Sequence, residues 1–315
     1  MRAQPHGVPE VVEPGDPDTG EQPVGRYLHI CVGGVDYRIC YEQTGTGIPV
    51  LMQHTAGTNG LRWRHVLADA VFQQSFQLIA YDLPFHGRSL PPEGHPWWAE
   101  PYKPTREWFV EVILAISAAL GLDRPVFMGC SIGGQLAPVL AFEKPDDFRA
   151  VIGVNSGVSE RPDPPPHLDT SDGAVGLQPG LYFHPRVASD WKGAAMMGLM
   201  APGSSEVFQR ETAWLYASEA PPVYHGDIWA YRTQFRLTEP ETRSIDTART
   251  QVFLLTGEYD PFALDGAAAR LADLIDGSWH AIIPNAGHFA PSDNPAAFKE
   301  ALRPVLREIA ASGSR

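Results

Sequence analysis

The sequence has few cysteines, little positive charge and no long hydrophobic run. Three cysteines in 315 residues, Cys31, Cys40 and Cys130, are an odd count without metal-ligand spacing, which suits a reducing compartment. With 24 Lys and Arg against 37 Asp and Glu, the formal net charge is -13. This charge opposes nucleic acid or an anionic membrane as a partner. No stretch approaches the length of a membrane-spanning helix, so we expect a cytoplasmic protein.

Signals for targeting and for cofactors are also missing. Residues 1–25 are rich in Pro, Gly, Glu and Asp and lack the apolar core of a secretory signal, so we interpret them as a disordered lead-in. The chain has no glycine-rich phosphate loop followed by Lys and Ser or Thr, and its histidines show no ligand spacing. We therefore expect no metal and no organic cofactor. The oligomeric state cannot be predicted from the sequence.

Short apolar runs alternate with helical patterns along most of the chain. A hairpin is predicted around Gly33 and Gly34 by the two-residue turn rule. Continuous apolar strands separated by helices are typical of a parallel sheet covered on both faces, which predicts an α/β fold. The predicted strands lie at 49–54, 76–82, 125–129, 150–155, 251–258 and 279–286.

Two segments carry clear helical patterns. Residues 105–122 have apolar residues at helical spacing, with Thr105 as the expected N-cap and Gly121 as the stop. Residues 296–312 predict a closing amphipathic helix, which Pro304 should kink or split.

The strand signal disappears between residues 158 and 247. We interpret this stretch as a helical cap inserted into a core formed by 26–157 and 248–315. In an open α/β sheet the ligand crevice lies beyond the carboxyl ends of the strands, so a cap placed there would cover the site.

The stretch "MGCSIGGQLA" (128–137) contains the pattern G-x-S-x-G around Ser131. By composition alone this match is weak, but it follows a predicted strand and opens a predicted helix, which is the context of a nucleophilic serine on a sharp turn. Side chains at Gly129 and Gly133 would clash in such a turn.

A serine nucleophile needs a base to take its proton and an acid to orient that base. Asp260 comes just past an apolar strand and His288 just past the next one. The order Ser131, Asp260, His288, each at the carboxyl end of a strand, is that of a Ser-Asp-His triad.

Other residues compete for two of these roles. Glu258, or a residue near Glu160 after the preceding strand, could supply the acid in place of Asp260. His280 lies inside a predicted strand and is the alternative to His288.

Together with two loop motifs, the triad makes residues 26–312 resemble the α/β-hydrolase superfamily, in its capped serine hydrolase branch. "DLPFHGRS" (82–89) is similar to the D-x-P-G-H-G-x-S loop of that family, and "HTAGTNG" (54–60) stands at its His-Gly oxyanion loop. Two residues depart from the pattern: Thr55 replaces the glycine of His-Gly, and Phe85 replaces the first glycine of the other loop.

The resemblance implies an oxyanion hole formed by the backbone N–H groups of Ile132 and Ala56. Thr55 changes the backbone freedom of the loop 54–60 and could add a hydroxyl donor. His54 and His86 are expected to stabilise their loops rather than to react. The methionines of the insertion fit core packing as well as substrate contact. The candidate substrate contacts are Thr55, Trp191, Met196, Met197, Met200 and Phe289.

The resulting expectation is a hydrolase that cleaves a small to medium apolar or aromatic carboxylic ester through an acyl-enzyme. A C–C bond hydrolase of aromatic ring-cleavage products is the nearest alternative, because those enzymes resemble the chain in fold and triad order. A ligand-binding receptor on a hydrolase scaffold is a further alternative, and a purely structural protein would require the triad spacing to be coincidence. Haloalkane dehalogenases and epoxide hydrolases use an aspartate nucleophile, whereas this elbow carries Ser131.

Overall fold

An eight-stranded sheet organises the described part of the protein. The computed structural model describes residues 25–157, 189–262 and 266–312. The strand order is β1-β2-β4-β3-β5-β6-β7-β8. The strands are β1 (Gly25–Val32), β2 (Val35–Thr44), β3 (Ile48–Gln53), β4 (Phe76–Tyr81), β5 (Val126–Cys130), β6 (Ala150–Val154), β7 (Gln251–Gly257) and β8 (Trp279–Ile283).

The first two strands form the predicted hairpin. Gly33 and Gly34 both have positive φ, +57° and +78°, as a two-residue turn between twisted strands requires. Cys40 lies opposite Tyr27, and Cys31 opposite Asp36, so these cysteines do not face each other and remain free. β2 pairs with β1 and β4 in antiparallel fashion.

From β4 to β8 every neighbouring pair of strands is parallel. The carboxyl ends of these strands therefore meet at one edge of the sheet. The alternation along β5 shows that both faces are buried, because Phe127 packs into one hydrophobic core, whereas Val126 and Met128 pack into the other. The predicted parallel sheet with helices on both faces is confirmed.

The helices are α1 (Arg64–Leu67), α2 (Arg106–Ala119), α3 (Ile132–Glu143), α4 (Ser189–Met197), α5 (Glu206–Ala217), α6 (Pro221–Thr233), α7 (Glu239–Arg243), α8 (Ala267–Leu274), α9 (Ala290–Asp293) and α10 (Pro295–Ser312). α2 and α3 contribute to the core on one face of the sheet, and α10 contributes to the core on the other.

Two predicted helices can be compared with the structure in detail. At the start of α2 the Thr105 hydroxyl accepts the Trp108 N–H at 3.3 Å, and past its end Gly121 has φ +64°, so the predicted cap and stop are confirmed. Of the two outcomes predicted for Pro304, the split is wrong, because α10 runs unbroken through it, and the kink stays a prediction. Pro304 lies on the exposed side, where water can take the place of the missing backbone donor.

Between β6 and β7 the described residues form four helices, α4 to α7, which are called the helical insertion (Ser189–Arg243) below. No strand occurs in residues 189–243. Residues 1–24 and 158–188 lie outside the described ranges, so the lead-in and the proposed limits of the cap stay predictions. Among the described helices, none combines the length and apolar character needed to cross a bilayer.

Candidate active site

Ser131 lies on the sharp turn between β5 and α3, with φ 57° and ψ -110°. This is a strained backbone conformation for a residue other than glycine. A Cβ on Gly129 would lie 2.2 Å from the carbonyl carbon of Gly133, so only a glycine fits there. The two glycines of the motif therefore allow the turn that presents Ser131 at the carboxyl edge of the sheet.

A relay of three side chains meets at this edge. Asp260 follows β7 and His288 follows β8. His288 Nε2 lies 2.8 Å from Ser131 Oγ, and His288 Nδ1 lies 2.9 Å from Asp260 Oδ1. Asp260 is 1% exposed and Ser131 7% exposed, so the acid is sealed while the serine is more accessible. The three residues predicted from the sequence order are thus brought together.

Two of the three competing residues have other partners in the structure. Glu258 is exposed and accepts the Asn285 N–H at 2.8 Å. His280 faces Thr256, whose hydroxyl is 3.1 Å from its Nε2. Glu160 lies outside the described residues.

Two contacts missed in the sequence fix the position of His288. Asn155 follows β6, its Nδ2 donates to the His288 carbonyl at 2.7 Å, and its Oδ1 accepts the Gly257 N–H at 2.7 Å. Asn155 thereby ties the loop of the histidine to the strand that precedes Asp260. The His288 N–H donates to the Leu199 carbonyl at 2.9 Å, so the chain after α4 also holds the histidine loop. An asparagine just after an apolar strand was the available signal for Asn155.

The two predicted oxyanion donors belong to segments that adjoin the strand of the serine. Ile132 opens α3, where the first N–H groups of a helix have no partner within the helix. Ala56 belongs to the loop after β3, and β3 pairs with β5 so that Gln53 stands opposite Gly129. In the described ranges neither the Ile132 nor the Ala56 N–H donates to a protein acceptor.

Aromatic side chains surround the histidine. Phe289 is 1% exposed, with its ring 5.0 Å from that of His288 and 5.4 Å from that of Tyr216. Phe262, which the sequence did not single out, places its ring 4.8 Å from that of His288. Tyr216 of α5 was missed as well.

The other candidate substrate contacts belong to the insertion or to the loop after β3. Met196 and Met200 are buried in the core, and Tyr224 donates to the Met196 sulfur at 3.8 Å. Met197 is half-buried. Trp191 lies on α4, but its side chain is outside the described part of the chain. The Thr55 hydroxyl is engaged by protein, 3.0 Å from Thr58 Oγ1 and 3.1 Å from Tyr216 OH.

Two buried histidines hold the loops next to the serine. Burial and the charge of His86 keep the pKa of His54 well below its usual value. Burial alone would lower the pKa of His86 too, but the charge and hydrogen bond of Asp227 outweigh it and raise that pKa to about 9. His54 is therefore neutral and His86 charged at neutral pH.

Burial raises the pKa of the Cys130 thiol to about 12. The thiolate is then scarce at neutral pH, so the buried Cys130 side chain packs as a small apolar group. Within the described ranges, no three His, Cys, Asp or Glu side chains are grouped as a metal site would need.

Comparison with known proteins extends these observations. The sequence model of the protein family described as the alpha/beta hydrolase fold matches residues 48–184 of this chain. Haloalkane dehalogenase 2 of Mycobacterium tuberculosis is 30% identical over 115 residues, which are 36% of this chain and 37% of that protein. The chain thus spans well under half of that relative.

Two further proteins are similar over longer stretches. A 2-hydroxy-6-oxononadienedioate/2-hydroxy-6-oxononatrienedioate hydrolase of Paraburkholderia phymatum is 23% identical over 170 residues, 52% of this chain and 55% of that protein. The solved structure of a thermophilic esterase from Thermogutta terrifontis superposes with a TM-score of 0.75 at 20% identity, covering 90% of this chain and 99% of the esterase. At this identity the superposition establishes the shared fold.

Proposed function

We propose that this chain, which has the alpha/beta hydrolase fold, is a serine hydrolase that cleaves carboxylic esters through an acyl-enzyme. The observation that carries this proposal is the unbroken relay from Asp260 through His288 to Ser131, with contacts of 2.9 and 2.8 Å, on a strained turn. Such a turn is costly for a serine and is found where the side chain must be presented to a ligand.

The relay defines the direction of proton transfer. Asp260 is a carboxylate acceptor, so His288 carries its proton on Nδ1 and offers the Nε2 lone pair to the Ser131 hydroxyl. Ser131 Oγ attacks the ester carbonyl while Nε2 takes its proton. The imidazolium then protonates the departing alkoxide, and the acyl group stays on Ser131. Water activated by the same nitrogen releases the acid and restores the serine.

The negative charge of the tetrahedral intermediate needs fixed donors. The Ile132 and Ala56 N–H groups are the two donors we assign to it, since both belong to turns beside Ser131 and neither is paired with a described residue. Preorganised donors of this kind each lower a barrier by roughly 3–4 kcal/mol.

The surroundings favour an apolar or aromatic ester of small to medium size. Phe262, Phe289 and Tyr216 place rings around His288 and the loop after β3, and Met196 and Met200 are buried in the insertion nearby. Such side chains bind apolar groups through buried area, and methionine adapts to irregular shapes. The insertion acts in this proposal as a cap over the site.

Carbon–carbon bond hydrolysis is the second candidate, and the similarity to the Paraburkholderia phymatum hydrolase favours it. The same three side chains would serve that reaction. Dehalogenation is disfavoured despite the Mycobacterium tuberculosis relative, because the nucleophile position here holds Ser131 instead of an aspartate.

Steady-state turnover of aryl and alkyl esters of increasing acyl length, beside a vinylogous diketone, tests the proposal. Ester turnover should fall by about 10⁴-fold or more in Ser131→Ala. Ser117→Ala, a buried serine of α2, is the matched control and should keep the activity. Cleavage of the diketone alone would favour the second candidate. The absence of turnover with every substrate would overturn both candidate reactions and favour a ligand-binding receptor.

A further inference from the structure

The peptide between Thr55 and Ala56 carries the N–H that we assign to the oxyanion hole. In a trans peptide the C=O and N–H point in opposite directions, so whatever holds the Thr55 carbonyl also aims the Ala56 N–H. Thr58 Oγ1 donates to this carbonyl at 3.0 Å, and His54 Nδ1 lies 2.8 Å from it. The orientation of the donor is therefore set from the back of the peptide.

The donors in this loop can be assigned from the hydrogen bonds alone. His54 Nε2 accepts the Leu83 N–H at 3.1 Å, so its proton is on Nδ1 and points at the Thr55 carbonyl. The single proton of the Thr58 hydroxyl is used on the same carbonyl, so Thr55 Oγ1 must donate to Thr58 Oγ1. Thr55 Oγ1 then accepts from Tyr216, 3.1 Å away.

A directional chain of hydrogen bonds thus begins in the helical insertion. It runs from the Tyr216 hydroxyl on α5 to Thr55, from Thr55 to Thr58, and from Thr58 to the Thr55 carbonyl. A glycine at position 55 would have no side chain to transmit it. The departure from the family pattern at Thr55 therefore links the insertion to this loop.

A second contact from the insertion holds the next residue of the loop. Asp227 on α6 is fully buried, and its Oδ2 accepts the Gly57 N–H at 2.7 Å and lies 2.8 Å from His86 Nε2. The other ring nitrogen of His86 faces the Pro84 carbonyl at 3.0 Å. Both partners of His86 only accept, so both ring nitrogens carry protons and the pair is an imidazolium and a carboxylate.

We infer that Tyr216 and Asp227 are positioning residues, which hold the Ala56 N–H in place, so that the oxyanion hole is complete only while the insertion is docked on the core. This inference rests on the proposed function, because it concerns the oxyanion hole of that reaction. Neither residue touches the reacting atoms; Tyr216 acts through Thr55 and Thr58, and Asp227 acts through Gly57.

Tyr216→Phe is the sharpest test, because it removes one hydroxyl and keeps the ring that packs on Phe289 and Tyr224. We expect kcat for a good ester to fall about tenfold with KM within about twofold, since only the transition state uses the oxyanion donor. Thr212→Val is the matched control. Thr212 is buried on α5 and its hydroxyl lies 3.4 Å from Ser292 Oγ, away from the loop.

Asp227→Asn is the second variant. It is expected to lower kcat in the same way, because a neutral amide lacks the negative charge that Asp227 Oδ2 offers to the Gly57 N–H and the His86 ring, so both contacts weaken. A trifluoromethyl ketone forms an oxyanion on Ser131, and its inhibition constant should rise in both variants by the factor lost in kcat/KM. A rise in KM at constant kcat, or equal behaviour of Tyr216→Phe and Thr212→Val, would overturn the inference.

Hydrogen exchange separates this inference from the proposed function. The amides of residues 55–58 should exchange several-fold faster in Tyr216→Phe and Asp227→Asn than in the unmodified protein and in Thr212→Val. If the unmodified protein cleaves no ester, the proposed function fails, and the exchange rates still decide whether the insertion holds the loop. Unchanged exchange in both variants would refute the positioning role.

Discussion

Asp260→Asn should remove most of the activity without unfolding the protein. Asp260 is buried and its Oδ1 lies 2.9 Å from His288 Nδ1. The asparagine amide can donate to Nδ1, which moves the histidine proton to Nε2, where a proton prevents it from accepting the Ser131 proton. Loss of the correct tautomer in a Ser-His-Asp relay costs about 10⁴-fold in kcat, which corresponds to about 5 kcal/mol.

The assay is kcat for the best ester of the panel, measured beside urea unfolding to show that the variant is folded. Glu258→Gln is the matched control, because it makes the same change two residues away on an exposed side chain and should alter kcat by less than twofold. An Asp260→Asn enzyme within tenfold of the unmodified protein, or a larger loss in Glu258→Gln, would refute the assigned role of the acid.

Three further predictions concern stability and positioning. The ion pair of His86 and Asp227 should contribute about 3 kcal/mol to the free energy of unfolding below pH 6.5, since the pKa of His86 is raised to about 9 in the folded protein. This contribution is lost as pH rises to 9, and urea unfolding across that range should show a fall that Asp227→Asn abolishes; an equal fall in the variant would contradict the assignment. Gly129→Ala should lower the free energy of unfolding in urea by about 3 kcal/mol or more, because the added Cβ would lie 2.2 Å from backbone atoms. At Gly203 an added Cβ has no neighbouring atom within 4 Å, so Gly203→Ala should lower that free energy by under about 0.5 kcal/mol. Equal stabilities would refute the strained-turn argument. Asn155→Ala should lower kcat about tenfold, because the His288 carbonyl and the Gly257 N–H lose their partner; an unchanged kcat would contradict its positioning role.

The sheet and the relay were predictable because both are local patterns placed in order. Apolar runs such as those of β5 and β7, separated by helical segments, indicate buried parallel strands, and the residues just past their ends meet at one edge of the sheet. The order of Ser131, Asp260 and His288 in the sequence therefore predicts that they meet at that edge.

The contacts from the insertion could not be predicted in this way. Tyr216 and Asp227 lie 161 and 170 residues from the loop residues they contact, and the helical pattern of α5 and α6 does not tell which polar residue points at the core. Asn155 was missed for a related reason, because a polar residue after a strand is equally typical of a turn. The split predicted at Pro304 was wrong because the cost of a proline inside a helix depends on its exposure, which the sequence does not give.

Labelling with a fluorophosphonate tests whether Ser131 is a nucleophile, because this probe phosphonylates a serine activated by a neighbouring base and releases fluoride. Intact mass followed by peptide mapping should show one adduct, on Ser131, which is absent in Ser131→Ala and strongly slowed in His288→Ala. An unlabelled protein, or an adduct that persists in Ser131→Ala, would contradict the assignment of Ser131 as the nucleophile.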